Sequence, residues 1–138
     1  MLETWTIYLS GEIHTDWREQ ISQGCSAKAL PVNIVGPITD HDASDDCGIK
    51  ILGDEENSFW KDHKSARINS IRNKTLISKS DIVVVKFGDK FRQWNAAFDA
   101  GIAANLSKPM IILHTQELTH ALKEIDAAAL AVAEKPGE

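Results

Sequence analysis

Between Asp81 and Leu113 the chain passes through a β-branched run, a break, an alanine-rich stretch and a second apolar run. Few folds accommodate that succession. Asp81-Ile82-Val83-Val84-Val85-Lys86-Phe87 has the composition of a strand covered on both faces of a parallel sheet, where polar alternation disappears because neither face meets water. Gly88-Asp89-Lys90 interrupts it. Phe91 to Ser107 reads as a helix, which Lys108-Pro109 ends ahead of the strand Met110-Ile111-Ile112-Leu113. Strand, helix and strand within about thirty residues make a βαβ unit, whose crossover is expected to be right-handed. Trp94, Ala97, Phe98, Gly101, Ile102 and Ala104 are expected on the packing side of the helix. Asn95 and Asp99, four apart, share a face beside that stripe. A carboxylate in the middle of such a helix is unfavourable without a partner or a task. Asp99 is therefore the first candidate functional residue.

The remaining segments repeat the alternation of strand and helix. Trp5 to Ser10 reads as the first strand and is ended by Gly11. Thr15 is placed to cap a helix from about Asp16 to Ala27. Pro31 to Gly36 is a second strand, with Pro37 preventing a regular continuation. Residues 39–56 show no periodicity and are expected to form an acidic loop, of the length typical of lids and binding loops. Asn57 to Ser80 reads as helix in two pieces joined near His63 to Ser65, with Phe59, Trp60, Ile68, Ile71 and Leu76 on its apolar side. A helix from about Glu117 to Asp126 and a fifth strand, Ala128 to Ala133, complete the pattern. Glu134 to Glu138 leads to no final helix, which leaves that edge open or covered by a partner.

Together these segments predict one α/β domain spanning residues 1–138, flavodoxin-like, an open parallel five-stranded sheet in the order 2-1-3-4-5 with helices on both faces. Ligands of such sheets bind beyond the carboxyl ends of the strands, at the switch point between strands 1 and 3. Ser10-Gly11-Glu12, Thr39-Asp40-His41, Gly88-Asp89 and His114 converge on that rim.

Composition narrows the partners. The net charge of −5, with no basic cluster, argues against nucleic acid and anionic membranes and leaves small molecules open. No apolar run is long enough to span a bilayer, and the N-terminus lacks a signal pattern. Two cysteines, Cys25 and Cys47, imply no disulfide framework and a cytoplasmic location.

Several chemistries lack their motifs. Gly-x-Gly-x-x-Gly, a Gly-Lys-Ser/Thr loop and Gly-x-Ser-x-Gly are all absent, so no dinucleotide, triphosphate or other cofactor is expected, nor a hydrolase elbow. Asp40, Asp42 and Ser44 imitate a calcium loop, but Asp45 stands at the glycine position and Ile51 at the closing glutamate. His41 and Cys47 are two metal-ligand types without a paired motif, so no metal site is expected. Asp99 remains, either as a nucleophile at the rim held by Asn95 or as a boundary carboxylate bonded to a neighbour. It is expected to project into a cavity at the sheet's carboxyl edge. Trp17 and Trp94 are candidates for a stacking wall, and Ser10-Gly11 would let backbone amides approach a ligand.

Tyr8-Leu9-Ser10-Gly11, the Ser80-Asp81 entry to strand 3 and Asp99-Ala100-Gly101-Ile102-Ala103 resemble signatures of nucleoside 2-deoxyribosyltransferases. Over nearly its whole length the chain resembles the YtoQ-type branch of that superfamily, through YLSGEIHTDWR from Tyr8, TDHDASDDCG from Thr39, FWKDHK from Phe59 and FGDKFRQWNAAFDAG from Phe87. The resemblance implies a retaining hydrolase or transferase at the N-glycosidic bond of a nucleoside or nucleotide, with Asp99 as nucleophile. It places Tyr8, Ser10, Gly11, Glu12, Trp17, Asp40, His41, Asp45, Asp46, Gly88, Asp89, Gln93, Trp94 and Asn95 around the substrate. It also implies a homo-oligomer, because characterised relatives complete their pockets with a neighbouring subunit. The chain departs from those relatives at Asp99, where they carry glutamate, and at Gln93 and Asn73, which fall at or near family aspartates. The acidic loop (Asp40, His41, Asp45, Asp46) is then the remaining source of an acid–base partner. Three alternatives stay open: a non-catalytic nucleoside-binding module, a metal-assisted hydrolase built on the Asp/His loop, and a protein-docking role for that loop.

Overall fold

The computed structural model describes residues 3–138. One sheet contains five parallel strands in the order β2-β1-β3-β4-β5, as expected. The strands are β1 (Trp5–Gly11), β2 (Val32–Val35), β3 (Ile82–Lys86), β4 (Met110–Leu113) and β5 (Ala131–Ala133). The helices are α1 (Trp17–Ala27), α2 (His41–Leu52), α3 (Ser58–Lys79), α4 (Trp94–Asn105) and α5 (Lys123–Ala128). Central β3 pairs with β1 on one side and β4 on the other, and its Val83, Val84 and Val85 are buried.

Side chains alternate across the sheet, so each strand feeds two cores. Ile7, Leu9, Val84 and Leu113 point to the α1 side and pack on Trp17. Tyr8, Val83, Val85, Phe87, Met110 and Ile112 point to the other side, against Ile77 of α3 and Ala96, Ala100 and Ala103 of α4. The alanines let α4 lie close to the sheet.

Five expectations need correction. Residues 39–56 are largely helix, not loop. Asp40 caps α2 by accepting from the Ala43 amide at 2.7 Å, and Cys47 and Gly48 are buried. The few apolar positions hide this helix, because the contact it makes uses a glycine. A Cβ on Gly48 would overlap the backbone at Lys64 and Ser65, and the Gly48 amide donates to the Ser65 hydroxyl at 3.0 Å. For the same reason α3 is one continuous helix: Ser65, expected at a junction, is the buried polar seat of α2. Phe59, Trp60 and Ile71, expected to be buried, are exposed.

At α1, Asp16 occupies the cap position without accepting from a helix amide, its carboxylate taking the Gln20 side-chain amide at 2.8 Å instead, while the Thr15 amide and hydroxyl donate to Glu12. The packing side of α4 is also rotated from expectation. Ala96, Asp99, Ala100 and Ala103 are buried, whereas Trp94 and Phe98 are 74% and 67% exposed. Close helix–sheet packing selects the smallest side chains, not the most apolar ones.

Candidate functional site

Two residues of β1 aim at α4 from the same face. The Ser10 hydroxyl donates to Asp99 Oδ2 at 2.6 Å in a buried setting, and Tyr8 lies fully buried beneath it. The Tyr8 hydroxyl has no hydrogen-bond partner of good geometry, yet it lies near enough to Asp99 for each group to shift the other's titration. Asp99 is 8% exposed, and among the described residues no basic side chain pairs with it. Burial raises its pKa, and the Ser10 and Tyr8 hydroxyls offset this only in part. Burial and the Asp99 charge push the Tyr8 phenol up, with Arg18 opposing.

Past Ser10 the chain turns over β3. Gly11 adopts φ +119°, and a Cβ there would overlap the Lys86 carbonyl, so only glycine fits. The Glu12 amide donates to Lys86 O at 3.0 Å. The Glu12 carboxylate then organises the next loop, accepting from the His14 amide and from the Thr15 amide and hydroxyl. Glu12 also fills the space above Gly88, where a Cβ would come within 2.7 Å of Glu12 Cγ. The Gly88 amide donates to Gln93 Oε1 at 2.9 Å. Ser10, Gly11, Glu12, Gly88, Gln93 and Asp99 are thus brought together at the β1–β3 switch point.

Arg18 holds this turn from below and was not singled out by the sequence. Its Nη1 donates to Glu12 O at 2.6 Å and its Nη2 to Gly11 O at 3.3 Å, while its buried Nε has no partner. Burial lowers its pKa, and Glu12 counters that. A signal was present: a cation in the first turn of α1 opposes the helix dipole, so its favourable contacts must lie elsewhere.

Other expected site residues lie apart. Trp17 is 1% exposed and belongs to the core, its indole bonded to Glu12 O at 2.7 Å, so it cannot be a wall for a ligand. Trp94 points outward. Asn95 is exposed, in the first turn of α4, and the bond to Asp99 comes from Ser10 in its place. Asp40 is spent as a cap, Asp46 pairs with Lys61 at 3.1 Å, and the side chain of Asp45 is exposed. Cys47 is turned into the α2–α3 contact, near Ser44 O and Asn69. From the acidic segment, His41 reaches across to another rim loop. Its ring lies 6.0 Å from that of His14, which lies 4.8 Å from that of Phe91. His14 and Phe91, on the loops after β1 and β3, complete a ring cluster that periodicity gave no means of finding.

Farther along the rim, His114 is buried between two acceptors, Thr115 O at 2.6 Å and Asp126 Oδ2 at 2.8 Å. Asp89 is drawn there, accepting from the Thr115 hydroxyl at 2.6 Å. Burial alone would lower the His114 pKa, but the Thr115 carbonyl and the Asp126 carboxylate raise it overall. Asp99 lines neither of two surface clefts: the recess bounded by Asp89, Thr115, Gln116, Glu117 and Glu134, and the groove between α3 and α4. The expected opening of its carboxylate into a rim cavity is not seen.

No helix among the described residues is long and apolar enough to cross a membrane. The fold is similar to a 2-deoxyribosyltransferase from the psychrotolerant bacterium Bacillus psychrosaccharolyticus, with TM-score 0.56, 17% identity, and 95% of this chain and 87% of that one covered. It is also similar to S. aureus homoserine dehydrogenase, with TM-score 0.50 and 16% identity, the match covering 99% of this chain but 33% of that one. In sequence the chain is 43% identical over 123 residues to the "Uncharacterized protein YtoQ" of Bacillus subtilis (strain 168), covering 89% of this chain and 83% of the relative. A family profile described as nucleoside 2-deoxyribosyltransferase YtoQ matches residues 8–138, from the middle of β1 onward, with the rim and the whole of α4 included. The chain belongs to the nucleoside 2-deoxyribosyltransferase YtoQ family.

Proposed function

We propose that the protein cleaves or exchanges the N-glycosidic bond of a nucleoside or nucleotide, with Asp99 as the nucleophile. One observation carries this reading: a buried carboxylate at the carboxyl edge of β1 is held by a hydroxyl and has no compensating cation among the described residues. Such a group is costly to keep, and uncompensated buried carboxylates concentrate where chemistry needs them. Family membership supplies the reaction class, glycosyl transfer on nucleosides.

In this reading Ser10 holds Oδ2 and the other oxygen attacks the anomeric carbon. The carbon–nitrogen bond breaks, and the base leaves with a proton from solvent or a rim donor. Water or a second base then attacks the same carbon and restores the carboxylate, with net retention. The rings of His14, His41 and Phe91 border the rim from which a planar base would enter. The metal-assisted reading loses its support, because the segment it needs is helix α2, with Asp40 and Asp46 already engaged.

A second reading is a nucleoside-binding module without turnover, favoured by the slight exposure of Asp99 and its absence from both clefts. The two separate in one experiment. The protein is incubated with a panel of nucleosides, nucleotides and NAD, and free base is followed beside an Asp99→Ala control. Release by the wild type alone supports the enzyme. Binding without release by either protein supports the module.

A further inference from the structure

A base leaving an N-glycosidic bond takes up a proton, and few groups at the β1–β3 switch point are free to give one. Gln93 and Asn73 stand at or near family aspartates but do not titrate, and Gln93 is taken by the Gly88 amide. Glu12 is buried and committed to its loop, accepting from the His14 amide and from the Thr15 amide and hydroxyl. Arg18 is engaged by the carbonyls of Gly11 and Glu12. Tyr8 is sealed beneath Asp99. His114 lies farther along the rim with both ring nitrogens occupied.

His14 differs from all of these. Its backbone is fixed, because its amide donates to the Glu12 carboxylate two residues back. Its ring packs 4.8 Å from that of Phe91, on the loop after β3, and 6.0 Å from that of His41, at the start of α2. Among the described residues no hydrogen bond or ion pair occupies either nitrogen of that exposed ring. The imidazole is oriented by packing and still open to a partner. Histidine is also the side chain whose charge ordinarily changes nearest neutral pH, which suits it to passing a proton in either direction.

The ring is within reach of the carboxylate. His14 follows Ser10 by four positions, and the Ser10 hydroxyl holds Asp99. Four residues span at most about 14 Å when fully extended. The bonds from His14 and Thr15 back to Glu12 fold this segment into a shorter turn. A sugar seated on Asp99 would carry its base toward the His14 ring.

We propose that His14 is the proton donor to the leaving base, with the Phe91 and His41 rings holding its imidazole at the rim. The assignment rests on the nucleophilic role of Asp99. As an Asp99 oxygen bonds the anomeric carbon, the electron pair of the breaking carbon–nitrogen bond passes to the base. The His14 imidazolium gives its proton to a nitrogen or oxygen of that base, leaving neutral imidazole and neutral base. In the second step the imidazole takes a proton from the attacking water or second base, while the sugar–Asp99 ester breaks and the carboxylate is restored.

The test follows free base from the nucleoside panel with wild type, His14→Ala and Asp99→Ala, with and without imidazole in the buffer. His14→Ala is expected to lose about 100-fold or more in kcat, the range of a general acid. Because the ring is exposed, free imidazole should take its place and restore the rate by at least about 10-fold. Asp99→Ala should stay inactive with imidazole. 7-Methylguanosine gives a second readout, since its base is already cationic and departs neutral without a proton. On it His14→Ala is expected to fall by less than about 5-fold. A loss below about 10-fold on neutral bases would overturn the assignment and leave Asp99 as nucleophile. So would an equal loss on 7-methylguanosine that imidazole does not restore, which marks a residue that only shapes the loop. A wild type that releases no base from any nucleoside overturns the glycosidic reading itself, and the role of His14 with it.

Discussion

The Ser10 hydroxyl donates a 2.6 Å hydrogen bond to Asp99 Oδ2, joining residues 89 positions apart. The bond exists because alternation along β1 turns Ser10 and Tyr8 to the side where α4 lies, and because α4 is small enough there to approach. In a buried setting it sets both the orientation and the proton affinity of the carboxylate.

Removing that donor should make the carboxylate harder to ionise. Ser10→Ala is expected to reduce turnover by about 10-fold, the scale of one charge-assisted hydrogen bond. The acidic limb of the pH–rate profile should move upward, because the Ser10 bond is one of the interactions that lower the Asp99 pKa. Initial rates from about pH 4 to pH 8 read both effects.

Asp99 should also burden the fold. Its folded pKa is raised, so the native state holds the proton more tightly than the unfolded chain does. The stability this contributes is present below the ordinary carboxylate value and is lost as pH rises through the raised one. Wherever the group is ionised it is a liability to the fold. Asp99→Asn is expected to stabilise the protein by roughly 1 kcal/mol, or about 3–5 °C in Tm, while abolishing any turnover. Thermal melts at pH 7 check the sign.

The His114–Asp126 pair should produce a pH dependence of the same sign by different chemistry. An acceptor at each ring nitrogen favours the protonated ring, and its pKa is raised despite burial. Its contribution is complete below the ordinary histidine value near 6.5 and fades as pH rises through the higher folded value. His114→Gln is expected to flatten the fall in stability as pH rises above about 6.5. Urea midpoints over that range, wild type against variant, measure it.

Much of this arrangement could be read from the chain. The β-branched core of β3, the breaks at Gly88 and Pro109 and the alternation of segments suffice for sheet order, because a parallel βαβ chain has few alternatives. Asp99 was conspicuous as a charge among alanines. The partner of Asp99 was not, since strand alternation and register had to be known before Ser10 rather than Asn95 could be chosen. Helix α2 was missed because Gly48 and Ser65, not apolar residues, make its contact, and hydrophobic periodicity is silent on such seams. The role of Arg18 depends on the carbonyls of Gly11 and Glu12 converging on it, which no local pattern encodes.

That seam is itself testable. Gly48→Ala would press a methyl against the backbone at Lys64 and Ser65. A loss of about 1–3 kcal/mol is expected, as for other overpacked contacts. Because α2 rests chiefly on α3, amide exchange should accelerate in residues 41–52 before the sheet responds.

The nucleophile is tested most directly by mass. The protein is mixed with a nucleoside that it turns over, quenched in acid within the first turnovers, and digested for peptide mass analysis. A nucleophilic Asp99 predicts a sugar adduct on the peptide containing residues 94–105, on that side chain, and none in Asp99→Asn. Base release without an adduct, undiminished in Asp99→Asn, would contradict it.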